Sequence, residues 1–366
     1  MEEAKSVAHP SLRLLEKGDP LPWLRQRTST MPRFAVDAMA GRYIVLCFFG
    51  SLADPIGRSA MDVALRHRDL FDDRFASLFG ISVDRDDETQ KRICDLPGGG
   101  VRILWDFDET VCKACGVVPP DMAAKGQKAF FRIWVVVDPT LHVLATFPFM
   151  TGENFHEPVF HFLRQLRPPE NYAGFEIPAP VLVLPHVFEQ ELCQKLIALF
   201  VADGGTETGV TRDSRAVIDA PLKRRKDYSV VDEQLCQAIR ERIIRRVAPE
   251  ISKLFFMQVT RMERYIVGCY AAEDGGHFRA HRDNGPGLTA HRRFAISINL
   301  NADFEGGAVC FPEYNMRGIK APAGWAVVFP CAILHRVYKV TAGRRYAFLP
   351  FVYDEAAARI MRSNRK

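Results

Sequence analysis

The sequence predicts two domains of different class: an α/β sandwich on a mainly parallel sheet, then a jelly roll or barrel with helices packed outside it. Three observations carry this. Near-continuous apolar runs alternate with helical patterns before residue 176. Short strand-like runs separated by glycine and proline turns fill the chain from Arg264 to Tyr353. Between them lies Arg167 to Pro180, RPPENYAGFEIPAP, whose four prolines and one glycine disfavour both a continued helix and a central strand. The boundary therefore falls near residue 176, giving units 1–176 and 177–366. A length of 366 residues agrees, being too long for one ordinary domain.

In the first unit Tyr43–Phe49 (YIVLCFF), Phe79–Asp84 (FGISVD) and Ile133–Val137 (IWVVV) read as buried strands. Ser59 to Phe75 suits an amphipathic helix between the first two. Strands apolar on both faces and alternating with helices are what an α/β sandwich requires. In the second unit Glu189–Ala202 and Asp232–Phe256 carry helical periodicity. The runs RYIVGCY, GHFRAHRD, RFAISINL, GAVCFP, WAVVFP and RYAFLPFVY then follow as short strands. No internal repeat is present.

Composition excludes several classes. With 48% hydrophobic and 25% charged residues the chain can bury substantial cores. No stretch reaches the roughly 18–20 uninterrupted apolar residues of a membrane span. The opening MEEAKSVAHPSLRLLEKGDP is charged where a signal peptide needs an apolar core, so a cytoplasmic protein is expected. Nine cysteines, several inside apolar runs, suit reduced buried thiols better than a disulfide framework. Residues 1–176 hold 21 Lys and Arg against 24 Asp and Glu, leaving 28 against 20 for the remainder. That excess gathers in Lys223-Arg224-Arg225-Lys226, in Arg240 to Arg246 and in the tail. An anionic ligand would suit it, although solvated helix faces are the commoner cause. No nucleic-acid module accompanies the charge, so no nucleic-acid partner is expected.

In the first unit GDPLPWL, AGRYIVLCFFGS, the strand ending ISVD, LWDFDETVCKACGVV and FRIWVVVDPTLHVLATF stand in order. Over residues 18–165 this resembles the peroxiredoxin-like (redoxin) family, which implies a thioredoxin-like fold. That family needs a thiolate at the start of the helix after the first strand, where helix amides depress a cysteine's pKa. Counting from Phe48-Phe49, its Thr-x-x-Cys pattern falls on Pro55 and Arg58, and no cysteine is there. The resemblance implies a supporting arginine at Arg132. Cys112-x-x-Cys115 follows Asp108-Glu109 and reads as the interior of a surface helix, not as a strand-to-helix redox corner. The unit is expected to be a pseudo-redoxin for docking, substrate presentation or homodimer formation. The rival reading is a thiol-dependent peroxidase with an appended metal-binding domain.

In the second unit His281-x-Asp283 aims an imidazole and a carboxylate the same way, because residues two apart on a strand share a face. His335 closes an apolar strand 54 residues later, and Arg345 opens RYAFLPF. Two histidines and a carboxylate leave open positions on a metal, which selects non-haem iron(II) oxygenases over closed zinc sites. A buried guanidinium suits a dicarboxylate cosubstrate.

PVLVLPHVFEQELCQKLI, Cys269-Tyr270, His281-x-Asp283, SINLN, Glu305-Gly306-Gly307, Ala323-Gly324 and His335 with Gly343-x-Arg345-Tyr346 complete the pattern. Residues 180–355 thus resemble the prolyl-4-hydroxylase-like group of 2-oxoglutarate oxygenases, with their double-stranded β-helix. The resemblance implies metal ligands His281, Asp283 and His335, with no catalytic residue beyond them. It implies cosubstrate-binding Arg345 and Tyr270, with Arg344 the alternative clamp, since strand parity turns only one of the two arginines inward. It also implies Fe(II), 2-oxoglutarate and O2 as cofactors, with ascorbate as an optional reductant. The expected reaction hydroxylates an amino acid, peptidyl or other small-molecule substrate, an anionic one among the options. Asp283 favours hydroxylation over halogenation. His277, His291 and Cys269 match no ligand position, while His277 and Arg279 share strand parity with His281.

Overall fold

A computed structural model describes residues 14–118, 130–150, 155–212, 215–217, 219–285 and 287–364. The charged opening before residue 14 and the terminal Lys366 lie outside them. The chain divides into two compact units, Met1–Ile177 and Pro178–Lys366.

In the first unit, strand β1 (Tyr43–Gly50) is buried at every residue, as a strand covered on both faces must be. Asp54 caps helix α1 (Pro55–Arg66) by accepting from the Ile56 amide at 2.8 Å, and Pro55 fits the first turn, where no amide partner is needed. The helix is shorter than Ser59 to Phe75 at its C-terminal end, because a separate 3-10 turn takes Arg68–Leu70. Strands β2 (Ala76–Ser82), β3 (Val101–Trp105), β4 (Ile133–Val137) and β5 (Val143–Pro148) complete a five-stranded sheet of order β3-β2-β1-β4-β5. Only the β1–β2 and β2–β3 pairs are parallel; β4 and β5 are antiparallel. The sheet is therefore mixed, not mainly parallel, because the short turn between β4 and β5 makes a hairpin. With helices α2 (Arg85–Thr89) and α3 (Glu157–Arg164), this is a thioredoxin-like α/β domain.

The second unit opens with strand β6 (Leu182–Leu184) and helix α4 (Gln190–Asp203). Strands β7 (Lys223–Arg224) and β8 (Lys226–Ser229) follow. Asp232 to Phe256 forms two helices, α5 (Glu233–Arg246) and α6 (Ala248–Phe255), instead of one. Pro249 explains the break: it has no amide to continue α5 and sits in the first turn of α6.

The strands then build two antiparallel sheets. The larger runs β9 (Arg261–Glu263), β18 (Phe351–Tyr353), β12 (Phe294–Asn299), β17 (Val340–Phe348), β10 (Ile266–Ala271), β8 and an edge strand Thr206–Glu207; β15 (Ala326–Pro330) also pairs with β12. The smaller runs β7, β11 (His277–His281), β16 (His335–Val337), β13 (Val309–Phe311) and β14 (Asn315–Ile319). A core including Tyr270, Phe304, Phe311, Phe329, Val337 and Phe351 draws residues from both sheets, and the outer core of α4, α5 and α6 backs the larger one. This is a double-stranded β-helix. Among the described residues no helix is long and apolar enough to cross a membrane.

Candidate metal centre and cosubstrate pocket

His281 ends β11, and its Cα partner across the smaller sheet is His335, the first residue of β16. Asp283 lies just past the strand, where its amide donates to the Cys331 carbonyl at 3.0 Å. The potential ligand atoms of these three residues all lie within 4.8 Å of one another. Asp283 Oδ1 is 3.5 Å from His281 Nε2, and Oδ2 is 3.2 Å from His335 Nε2.

The tautomers follow from the backbone. His281 Nδ1 is 2.7 Å from the Arg279 carbonyl and His335 Nδ1 is 3.1 Å from that of Ile333. A carbonyl only accepts, so both Nδ1 atoms donate and both Nε2 lone pairs face the shared point. Burial and the neighbouring His335 push the His281 pKa down, keeping it neutral. Burial opposes ionisation of Asp283, but the two histidines outweigh it and hold the carboxyl well below the carboxylate range. A neutral His281 beside an ionised Asp283 suits metal binding.

Packing fixes the ligands. Phe278 stacks on His281 at 3.5 Å between centroids, and Phe329 lies 4.5 Å from the His335 ring. Phe278 reaches that ring because the register shifts between it and His281, so simple alternation fails here. His277 is consequently used structurally, its ring nitrogens lying 2.8 Å from Gly275 O and 3.1 Å from Pro221 O. Arg282 turns away to pair with Glu313 and the Ala332 carbonyl, and Glu313 accepts from the Leu334 amide at 2.8 Å. That buttress holds the turn leading into His335, and it was not foreseen from the sequence. His291 packs against Tyr353 and bonds Glu263 at 3.0 Å, a structural role.

Strand register separates the two candidate clamps. Tyr270 pairs with Arg345 and Ala271 with Arg344. Arg345 is 1% exposed, whereas Arg344 reaches solvent and pairs with Glu273. Arg345 Nε donates to Asn299 Oδ1 at 2.9 Å and Nη2 to Ser297 Oγ at 2.8 Å, but buried Nη1 has no partner among the described residues. Such an orphaned charged donor is costly unless a ligand accepts from it. Burial lowers the Arg345 pKa to about 10, which leaves it charged at neutral pH.

Tyr270 is buried between two guanidiniums, 5.3 Å from that of Arg345 and 5.6 Å from that of Arg225. Its hydroxyl accepts from Arg225 Nη1 at 3.1 Å. Arg225 also holds Asp227, at 2.5 and 2.8 Å. Gly268 makes room for it: a Cβ there would stand 2.9 Å from Arg225 Cδ.

In the first unit, Arg132 donates to Asp54 Oδ2 at 2.6 Å and to the Phe49 carbonyl. Arg58 instead turns to the Leu52 carbonyl, so the residues near Arg132 at the helix start are Asp54 and its neighbours. Gly57 admits no side chain, since a Cβ would lie 2.2 Å from the Ser51 carbonyl oxygen. Cys112 and Cys115 are fully buried, not on a surface helix, and burial with nearby Asp106 pushes both thiols far up.

Residues 263–353 match the profile of the 2OG-Fe(II) oxygenase superfamily, so the second unit contains a 2OG-Fe(II) oxygenase domain. A PKHD-type hydroxylase of Psychrobacter sp. (strain PRwf-1) is 37% identical over 75 residues, which is 20% of this chain and 29% of that protein. Another from Hyphomonas neptunium is 31% identical over 96 residues, 24% of this chain and 42% of that one. The chain thus spans less than half the length of these two relatives. Among solved structures, a Pseudomonas putida prolyl-4-hydroxylase aligns with TM-score 0.37 and 15% identity, over 48% of this chain and 92% of that one. Mycobacterium tuberculosis AhpC aligns with TM-score 0.33 and 19% identity, over 42% of this chain and 91% of that one.

Proposed function

We propose that the second unit is an iron(II)- and 2-oxoglutarate-dependent hydroxylase in which His281, Asp283 and His335 hold the metal and Arg345 holds the far carboxylate of the cosubstrate. The observation that carries this is the pairing of a two-histidine, one-carboxylate cluster with a buried arginine whose Nη1 lacks a partner. The donor set fits iron(II) and leaves positions open, and the arginine fits a dicarboxylate. When bound, iron(II) with 2-oxoglutarate and O2 supplies an oxidant, releasing succinate and CO2 as a substrate C–H bond is hydroxylated.

The protein's own residues do the rest. Arg279 O and Ile333 O hold the two imidazoles in the ligating tautomer. Phe278 and Phe329 keep water from the ligands. Asn299 and Ser297 fix the Arg345 fork, and Tyr270 lies flat between Arg345 and Arg225 as one wall of the cosubstrate pocket. The substrate class is an amino acid, a peptidyl residue or another small molecule, and ascorbate can serve as reductant. The first unit serves as a non-peroxidatic docking, presentation or dimerisation domain.

The test is succinate formation from 2-oxoglutarate by the full-length protein with Fe(II), screened over free amino acids and proline-containing peptides, alongside Mn(II) binding. His281→Ala and Asp283→Ala should lose both. Retained metal binding and turnover in either variant would remove the triad.

A further inference from the structure

The basic run Lys223-Arg224-Arg225-Lys226 is not a solvated face. Across β7 and β8 the side chains alternate, with Lys223, Arg225 and Asp227 buried and Arg224 and Lys226 outward. The two inward cations meet a third, Arg264, in the turn between β9 and β10. Arg264 adopts φ 63°, a left-handed conformation that costs a non-glycine residue roughly 1 kcal/mol or more. On a side chain 30% exposed, its guanidinium lies over Phe351 at 5.5 Å and 3.7 Å from Asp227, open to solvent on its other side.

Asp227 is already committed to Arg225 in a two-point pair. Lys223 reaches it only at 3.8 Å and donates to Thr208 Oγ1 and Gly209 O instead. Four cations (Lys223, Arg225, Arg264 and Arg345) therefore face two carboxylates, Asp227 and Asp283. Arg292 adds nothing to the imbalance, since Glu263 pairs with it at 2.7 Å. An iron(II) ion and a 2-oxoglutarate dianion would cancel each other, leaving two positive charges.

Position separates these cations. Lys223 Nζ stands 5.6 Å from the centre of the Phe278 ring that stacks on His281, and Lys223 and Arg264 meet at Asp227, whereas Arg345 lies over Tyr270. Burial and the neighbouring Arg225 push Lys223 down to about 7 and Arg264 down to about 10, against the opposing pull of Asp227.

We infer that Arg264 and Lys223 form a second anion site beside the metal ligands, and that the primary substrate carries a carboxylate or phosphate group which they bind. This rests on the oxygenase reading above.

The experiment is calorimetric titration of acetate and of inorganic phosphate into the full-length protein holding Mn(II) and saturating 2-oxoglutarate, at ionic strength matched with chloride. At least one anion should bind, and Arg264→Met and Lys223→Met should each weaken it at least about tenfold. Arg264→Lys should restore part of the loss. The 2-oxoglutarate affinity of both Met variants should stay within about threefold, a difference well under one charged contact. Arg261→Met, at an exposed arginine paired with Glu355, is the control. Whichever of the two anions binds more tightly identifies the group.

Three results would overturn the inference: neither anion binding the wild type, anion binding unchanged in both Met variants, or 2-oxoglutarate affinity falling as far as anion affinity. The same titrations on metal-free protein separate this from the oxygenase reading. Failure of the wild type to bind 2-oxoglutarate would sink that reading. Phosphate binding lost in Arg264→Met but kept in Arg345→Met would still establish the subsite.

Discussion

Replacing Arg345 by methionine tests the cosubstrate pocket most directly. Met keeps much of the side-chain volume in a site that is 1% exposed, and it removes the charge. A 2-oxoglutarate carboxylate buried there would lose its charged donor and become an uncompensated buried anion, which costs on the order of 2–5 kcal/mol. At about 1.4 kcal/mol per tenfold, the dissociation constant should rise roughly thirtyfold to a few thousandfold. Arg344→Met sets the baseline: that side chain reaches solvent and pairs with exposed Glu273, a contact worth about 1 kcal/mol or less, so 2-oxoglutarate affinity should scarcely move. Asn299 and Ser297 lose a donor in Arg345→Met, so some stability will go as well. Mn(II) affinity separates the two effects, because His281, Asp283 and His335 make no direct contact with Arg345 and should keep the metal. Calorimetry with 2-oxoglutarate on the Mn(II)-loaded variants is the assay. Equal, small losses in both variants would refute the reasoning, and so would a loss of Mn(II) binding that parallels the loss of 2-oxoglutarate.

Two further outcomes concern the first unit. Burial pushes His156 down to about 4, and its Nδ1 accepts from Trp134 Nε1 at 3.0 Å, so it folds neutral. With an unfolded value near 6.5, its contribution is complete above that pH and is lost as pH falls from 6.5 through 4, by up to about 3 kcal/mol; urea midpoints of His156→Gln should lack this component, and parallel pH slopes in both proteins would count against it. Stopped-flow mixing of the full-length protein with hydrogen peroxide should show no rapid thiol loss, since Cys47, Cys112 and Cys115 are buried thiols with raised pKa values and exposed Cys94 lies outside the start of α1, where a peroxidatic thiolate would be held. Fast oxidation of one cysteine, removed by its replacement with serine, would restore a peroxidase.

The fold was legible where periodicity alone decides it. Ile133–Val137 is a strand at the residues its apolar run occupies, and Tyr43–Phe49 gains only Gly50. What escaped was set by tertiary partners or by single residues acting against a pattern. Pairing directions in the first sheet depend on where the chain returns, which apolar strands do not encode. Pro249 interrupts a helical pattern that otherwise continues for another turn or two. Gly57 occupies the helix start because the Ser51 carbonyl sits where a side chain would begin, a constraint visible only once that loop is folded.

The candidate site divides along the same line. That His281, Asp283 and His335 come together, and that Arg345 is buried, was legible because His281, His335 and Arg345 belong to strands and Asp283 follows His281 by two residues. Which of the two arginines turns inward, a question that spacing left open, follows from the partner strand, whose Tyr270 lies opposite buried Arg345. Arg282 and Glu313 were not readable, since residues 31 apart meet only after β11 and β16 pair. Lys223-Arg224-Arg225-Lys226 carried its answer in a form that composition hides. As a charge run it resembles any solvated segment. As a strand, with Asp227 two residues beyond Arg225, it alternates, and the alternation sends two cations and their one carboxylate inward. Burying Lys223 and Arg225 near Arg345 does not serve stability, because the cations lose hydration that Asp227, already committed to Arg225, returns only in part. The arrangement is intelligible if the missing negative charge arrives with what the site binds.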